Sequence, residues 1–189
     1  MMGVGCFPVV VLLQRAIARR AFAVTAEVMP PRGGDPSRTL AVAKLLKGRV
    51  HAVNVTDGSR AVMRMSSLAL CRLLLDAGLE PVLQLACRDR NRIALQADLL
   101  GAHALGIRNL LCLTGDPVRA GDQPHARPVN ELEAVRLLQQ VSDFNAGRDP
   151  LGGALPDGPT ALFAGAAADP QSASWSGLRR RLSRKQAAG

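Results

Sequence analysis

Pro81-Val82-Leu83-Gln84-Leu85-Ala86 runs into Cys87-Arg88-Asp89-Arg90-Asn91 and then into an amphipathic stretch, Ile93–Leu105. Gly106 closes that stretch, and a second apolar run, Asn109-Leu110-Leu111-Cys112-Leu113, ends in Thr114-Gly115-Asp116-Pro117. Two short apolar runs separated by a helical period read as one strand–helix–strand unit. Working outward, Ala21–Val28, Val50–Val55 and Ala161–Ala167 repeat the strand pattern. All five runs are rich in Val, Leu and Ala and do not alternate with polar residues, as parallel strands covered on both faces should. Helical patterns fill the gaps at Arg38–Lys47, Ala61–Ala77 and Asn130–Val141, with a last one at Gly177–Lys185. Gly78 and Gly106 stand where helix C-caps belong. The order predicts right-handed βαβ units in a parallel sheet. Either a doubly wound sheet or five-eighths of a barrel satisfies it.

Composition narrows the class. The 189 residues, 48% hydrophobic and 21% charged, describe a globular chain and exclude wholesale disorder. The length is short for a complete (β/α)8 barrel, which takes roughly 250 residues. No apolar run reaches the ~18 residues a membrane span needs. The apolar opening Met1–Leu13 has its positive charges behind it, the reverse of a secretory signal. Cys6, Cys71, Cys87 and Cys112 stand far apart, which argues against a zinc module or a disulfide framework and for the cytoplasm. Of the net charge of +9, five positive charges gather at Arg179, Arg180, Arg181, Arg184 and Lys185. By itself that block reads as a solvated helix face. With 3% aromatic residues there is little to stack on bases, so nucleic acid is disfavoured as a partner.

Polar residues cluster after the strands, where α/β folds build sites. Glu27 lies inside an apolar run, where a carboxylate is costly unless paired or functional. Buried, it could serve as an acid near neutral pH; paired with a neighbouring Arg, it would be structural. Asp116 could bind a ligand ring N–H, although a turn or helix-capping role weighs more on local grounds. Thr56 and Gln84 are strand-end polar groups that could bond a cofactor or each other. His51 and His103 read as core or helix-surface residues, and Met63 and Met65 as packing residues that begin a helix. No G-x-G-x-x-G follows a strand, and no P-loop is present.

From about Ala21 onward the chain resembles the methylenetetrahydrofolate reductase family. The resemblance rests on Ala26-Glu27 with Pro30-Pro31, on Asn54-Val55-Thr56-Asp57, and on Arg88-Asp89-Arg90-Asn91 leading into Gln96–Gly106. It continues through Leu113-Thr114-Gly115-Asp116-Pro117, Gly165-Ala166-Ala167 and Arg184-Lys185. What it implies is a (β/α)8 barrel of the TIM type with about the first five βα units present. Residues 1–20 are then an N-terminal extension or leading helix, and 21–189 a partial barrel that stops before strand 6. It further implies FAD at the strand ends, NADH or NADPH as reductant, and reduction of 5,10-methylenetetrahydrofolate to 5-methyltetrahydrofolate. Catalysis would fall to Glu27, matching the family's general acid, and to Asp116, matching an aspartate that contacts the pterin and tunes the flavin. Cofactor binding would fall to Thr56, Gln84, Thr114, Gly115, Arg184 and Lys185, the last two near the FAD phosphates. Gln84 stands where many members carry His, Thr114 where many carry Arg, and Gly165 where many carry Tyr. The alternative expectation is an inactive fragment or a non-catalytic subunit whose barrel is completed by a homo-oligomer or a complementing subunit.

Overall fold

The computed structural model describes residues 12–171 and 173–189; Cys6 and residues 1–11 lie outside the described residues. A short helix α1 (Leu12–Ala18) precedes β1 (Thr25–Val28), α2 (Ser37–Lys44), β2 (Ala52–Val55), α3 (Ser67–Asp76) and β3 (Pro81–Ala86). Then come α4 (Arg92–Ala104), β4 (Asn109–Leu113), α5 (Ala134–Asn145), β5 (Phe163–Ala166) and α6 (Trp175–Ala188). The five strands form one sheet in the order β1-β2-β3-β4-β5, every pair parallel. A doubly wound sheet reverses its strand order at a switch point. Here each crossover returns to the next strand along, so the sheet is an arc of a (β/α)8 barrel.

The register divides the sheet into two faces. Val28, Val53, Val55, Leu83, Leu85, Leu110 and Cys112 join Leu70, Leu74, Leu95, Leu99, Leu137 and Val141 of the helices in one hydrophobic cluster. Successive residues of a strand point to opposite faces. The other face, the inside of the arc, therefore carries Glu27 and Asn54, in register with each other and with Val82, and, two residues further along β3, Gln84, in register with Leu111 and Gly165. Only the central strand β3 is buried along its whole length. Among the described residues β1 and β5 each have a single neighbour, and they keep exposed positions for that reason.

Two helix starts differ from the sequence reading. The stretch from Ala61 does not begin a helix: Arg60 and Ala61 adopt φ of 57° and 55°, a left-handed conformation that an α-helix excludes. The following amides are engaged elsewhere, Met63 N on Asp122 Oδ1 at 3.0 Å and Met65 N on Pro31 O at 2.9 Å. α3 accordingly starts at Ser67, and Met63 is exposed. Likewise Asn130 has φ of 44°, and α5 starts at Ala134. Gly78 and Gly106 do end helices, at φ of 73° and 83°.

At the amino-terminal ends of the strands, the Glu80 carboxylate accepts from the amides of Leu12 and Leu13 and, at 2.8 Å, from Asn109 Nδ2. That fixes α1 at the end of the arc away from the strand-end turns. His51 Nδ1 accepts from Val24 N at 3.0 Å and His103 Nδ1 from Ala161 N at 3.2 Å. Both histidines thus act as structural acceptors. Burial, then the nearby Arg108, lowers the pKa of His103. Among the described residues no helix is long and apolar enough to cross a membrane.

Cys71, Cys87 and Cys112 are free and buried. Burial pushes the Cys87 thiol up to about 11, and burial with the neighbouring Cys87 pushes Cys112 up to about 12. Cys71 is raised as well, by burial first and Asp57 second. The folded chain thus keeps protons that the unfolded chain releases near a thiol's ordinary value of 9.0. The stability these thiols supply is complete below that pH and is lost as pH rises through the folded values. Urea unfolding should show stability falling by about 1.4 kcal/mol per pH unit for each such thiol above that point. Cys112→Ala should remove its share of the slope, and a wild-type slope that survives the substitution would contradict this account.

Candidate functional site

The carboxyl ends of β1 to β4 hold most of the residues singled out above. Gln84, 8% exposed, donates from Nε2 to Glu27 Oε2 at 3.2 Å. Glu27 itself is exposed, because β1 is an edge strand among the described residues. The burial expected of this carboxylate is therefore absent, and its partner is an amide rather than an arginine. One residue beyond β2, Thr56 is 3% exposed, and its Oγ1 has no hydrogen-bond partner in the protein. A buried hydroxyl without a partner is costly, on the order of 1–3 kcal/mol. Its place at the strand ends marks a position where a ligand's polar atom would satisfy it.

Arg88-Asp89-Arg90-Asn91 supplies the frame, and each residue does separate work. Asn91 caps α4 by accepting from Ala94 N at 2.9 Å. Arg90 forks onto Asp57, Nη1 to Oδ2 at 2.6 Å and Nη2 to Oδ1 at 3.2 Å, while its Nε pairs with Asp98 at 2.8 Å. Asp57 Oδ2 also accepts from Ala86 N at 2.9 Å, so the turn after β2 is fastened to the end of β3. Burial opposes the Arg90 charge, but Asp57 and Asp98 outweigh it and hold its pKa above the ordinary arginine value. Hydrogen bonding to Asp89 does the same for Arg88, against the effect of burial. The sequence reading had not singled out Asp57 and Arg90 as a pair. The available signal is an acid and a base in the turns that follow two adjacent buried strands, without anything in the sequence that pairs them.

After β4, Thr114 Oγ1 accepts from Ala134 N at 3.4 Å, the first amide of α5. Gly115 has φ of 98°, and a Cβ there would lie 2.8 Å from Arg88 Cβ. Asp116 is exposed, and its Oδ2 accepts from Arg60 N at 2.7 Å. Thr114, Gly115 and Asp116 line a pocket of about 480 Å³. Asp57, Gly58, Arg64 and Arg88 line a second one, about 330 Å³, between the turns after β2 and β3. Arg184 and Lys185 lie elsewhere, on α6 beside the end of β5. Arg184 pairs with Glu133, and Lys185 Nζ donates to Ala167 O. Lys185 lines a pocket of about 190 Å³ with Ala167, Asp169 and Arg181. The structure thus brings Glu27, Gln84 and Thr56 to one rim with Thr114, Gly115 and Asp116, and sets the basic pair one strand further along.

Gly115→Ala tests this packing. Left-handed backbone and crowding against Arg88 together should cost about 2 kcal/mol or more in urea unfolding. A change under about 0.5 kcal/mol, the ordinary surface range, would contradict the close approach.

Two comparisons bear on the arrangement. The profile of the methylenetetrahydrofolate reductase family matches residues 12–189. The 5,10-methylenetetrahydrofolate reductase of Pectobacterium carotovorum subsp. carotovorum is 29% identical over 125 residues, which are 65% of this chain and 41% of that protein. The chain thus spans about two fifths of the length of the curated relative it matches. Parallel strands in barrel order, polar groups gathered at their carboxyl ends and the family match over nearly the whole chain agree. The chain belongs to the methylenetetrahydrofolate reductase family.

Proposed function

We propose that the strand-end rim takes part in a flavin-dependent reduction of 5,10-methylenetetrahydrofolate to 5-methyltetrahydrofolate, with NADH or NADPH as reductant. The observation that carries this reading is the buried, unpartnered Thr56 hydroxyl beside Gln84 and Glu27. A flavin or nicotinamide ring edge offers the polar atoms such a hydroxyl lacks. The residues therefore fit FAD at this rim. When bound, FAD would supply hydride transfer from nicotinamide to folate.

The chain's own groups would do the rest. Glu27 would deliver a proton to the folate nitrogen as the five-membered ring opens. The Gln84 amide, donating to Glu27 Oε2 at 3.2 Å, would orient that carboxyl group. Asp116 would accept a hydrogen bond from the pterin or the flavin ring, a carboxylate being an acceptor when ionised. Thr56 would bond the flavin and nicotinamide edge. Arg184 and Lys185 would face the FAD phosphates, as guanidinium and ammonium groups suit that anion. The three buried free thiols are consistent with a reducing cytoplasm.

A second reading rests on the sheet edges. β1 and β5 each have one neighbour among the described residues, so the inside of the arc is open. The site then needs further βα units, from more of the same polypeptide, from a second copy or from a complementing subunit.

The test is the visible spectrum of the purified chain with FAD added. A flavin spectrum, bleached by NADH or NADPH and restored by methylenetetrahydrofolate, is the expected result. A chain that stays colourless would overturn autonomous activity and favour the second reading. In a flavin-loaded chain, Glu27→Gln should leave bleaching by the nicotinamide intact and slow reoxidation by folate by about 10²–10⁴-fold. Equal rates before and after the substitution would remove Glu27 from the proton step.

A further inference from the structure

Arg88 is a charged side chain only 4% exposed, and the proposed chemistry gives it nothing to do. Its Nε and Nη2 donate to the Asp89 carboxylate at 2.8 and 2.6 Å. Its other bonds go to two backbone carbonyls on different turns, Nη2 to Gly58 O and Nη1 to Asp116 O, both at 3.3 Å. Its own carbonyl accepts from Val129 N at 2.8 Å and Asn130 N at 3.4 Å. Burying a guanidinium beside a half-exposed partner does not favour stability by itself. An apolar side chain would fill the same space without that cost. What a guanidinium adds is a fixed fork of donors reaching both turns at once.

The turn after β2 is under strain. Arg60 and Ala61 hold left-handed φ of 57° and 55°, each costing on the order of 1–3 kcal/mol. Such a turn persists only where its surroundings over-determine it. Two neighbours do so: Asp116 Oδ2 accepts from Arg60 N at 2.7 Å, and Gly121 lies so close that a Cβ there would fall 1.8 Å from Ala61 O.

We infer that Arg88 is a positioning residue, which ties the Gly58 and Asp116 carbonyls together and thereby holds the Asp116 carboxylate on the Arg60 amide at the strand-end rim. Its bearing on catalysis rests on the proposed role of Asp116. The mechanical coupling does not.

Amide hydrogen exchange of the full chain, without ligand, tests the coupling in wild type, Arg88→Met, Asp116→Ala and the double variant. The Arg60 amide should exchange about tenfold faster in Arg88→Met, the loss of one charge-assisted hydrogen bond. Asp116→Ala should accelerate it equally, and the double variant no further, while the β3 and β4 amides keep their protection. Arg88→Lys, which can reach one carbonyl at a time, should give a smaller increase confined to the same turns, and it decides the question if Arg88→Met fails to fold. Unchanged Arg60 exchange, effects that multiply, or faster exchange throughout the sheet would overturn the inference. A wild type that binds no flavin but shows this exchange pattern would count against the proposed function and leave the coupling standing.

Discussion

Two guanidinium groups arrive together at the end of β3, one buried and one partly buried, and neither can leave water without an acid. Their neutralisation organises the rim. Arg90 draws Asp57 from the turn after β2 and Asp98 from α4. Arg88 reaches across to the turns after β2 and β4. Breaking such a pair by removing one partner costs far more than the pair contributes, because a buried charge is left alone. The turns after β2, β3 and β4 are thus fixed relative to each other by charge, while the strands beneath are fixed by ladder bonds and apolar packing.

That division explains how one arc can be stable and still carry unsatisfied polar groups at one end. The helix-facing side of the sheet is almost wholly apolar and carries the packing energy. The inner side keeps Glu27, Asn54 and Gln84, with Thr56 continuing the row, and tolerates an unpartnered hydroxyl. Groups that are costly in a core therefore collect on the face and at the end where the fold leaves access.

Sequence legibility follows the same line. β3 and β4 appear with the boundaries read from Pro81–Ala86 and Asn109–Leu113, whereas β2, also paired on both sides, starts at Ala52 rather than Val50. The edge run Ala21–Val28 pairs only from Thr25, and Phe22 before it is 88% exposed. The residues from Ala61 to Met65 have helical propensity, yet bonds to Pro31 and Asp122 from distant turns override it. Asp57 and Arg90 are 33 residues apart, so no local pattern could pair them; the strand register does. Whether Glu27 is buried depends on what lies beside an edge strand, which the residues around it do not encode.

The charge pair between the turns after β2 and β3 assembles the rim. A double-mutant cycle of unfolding free energies with Asp57→Asn, Arg90→Met and both together addresses it most directly. The account expects each single change to be costly and the double to cost clearly less than their sum, with a coupling of about 2 kcal/mol. Additive effects, within about 0.5 kcal/mol, would mean that the rim is held by the strands alone and that the pair is incidental.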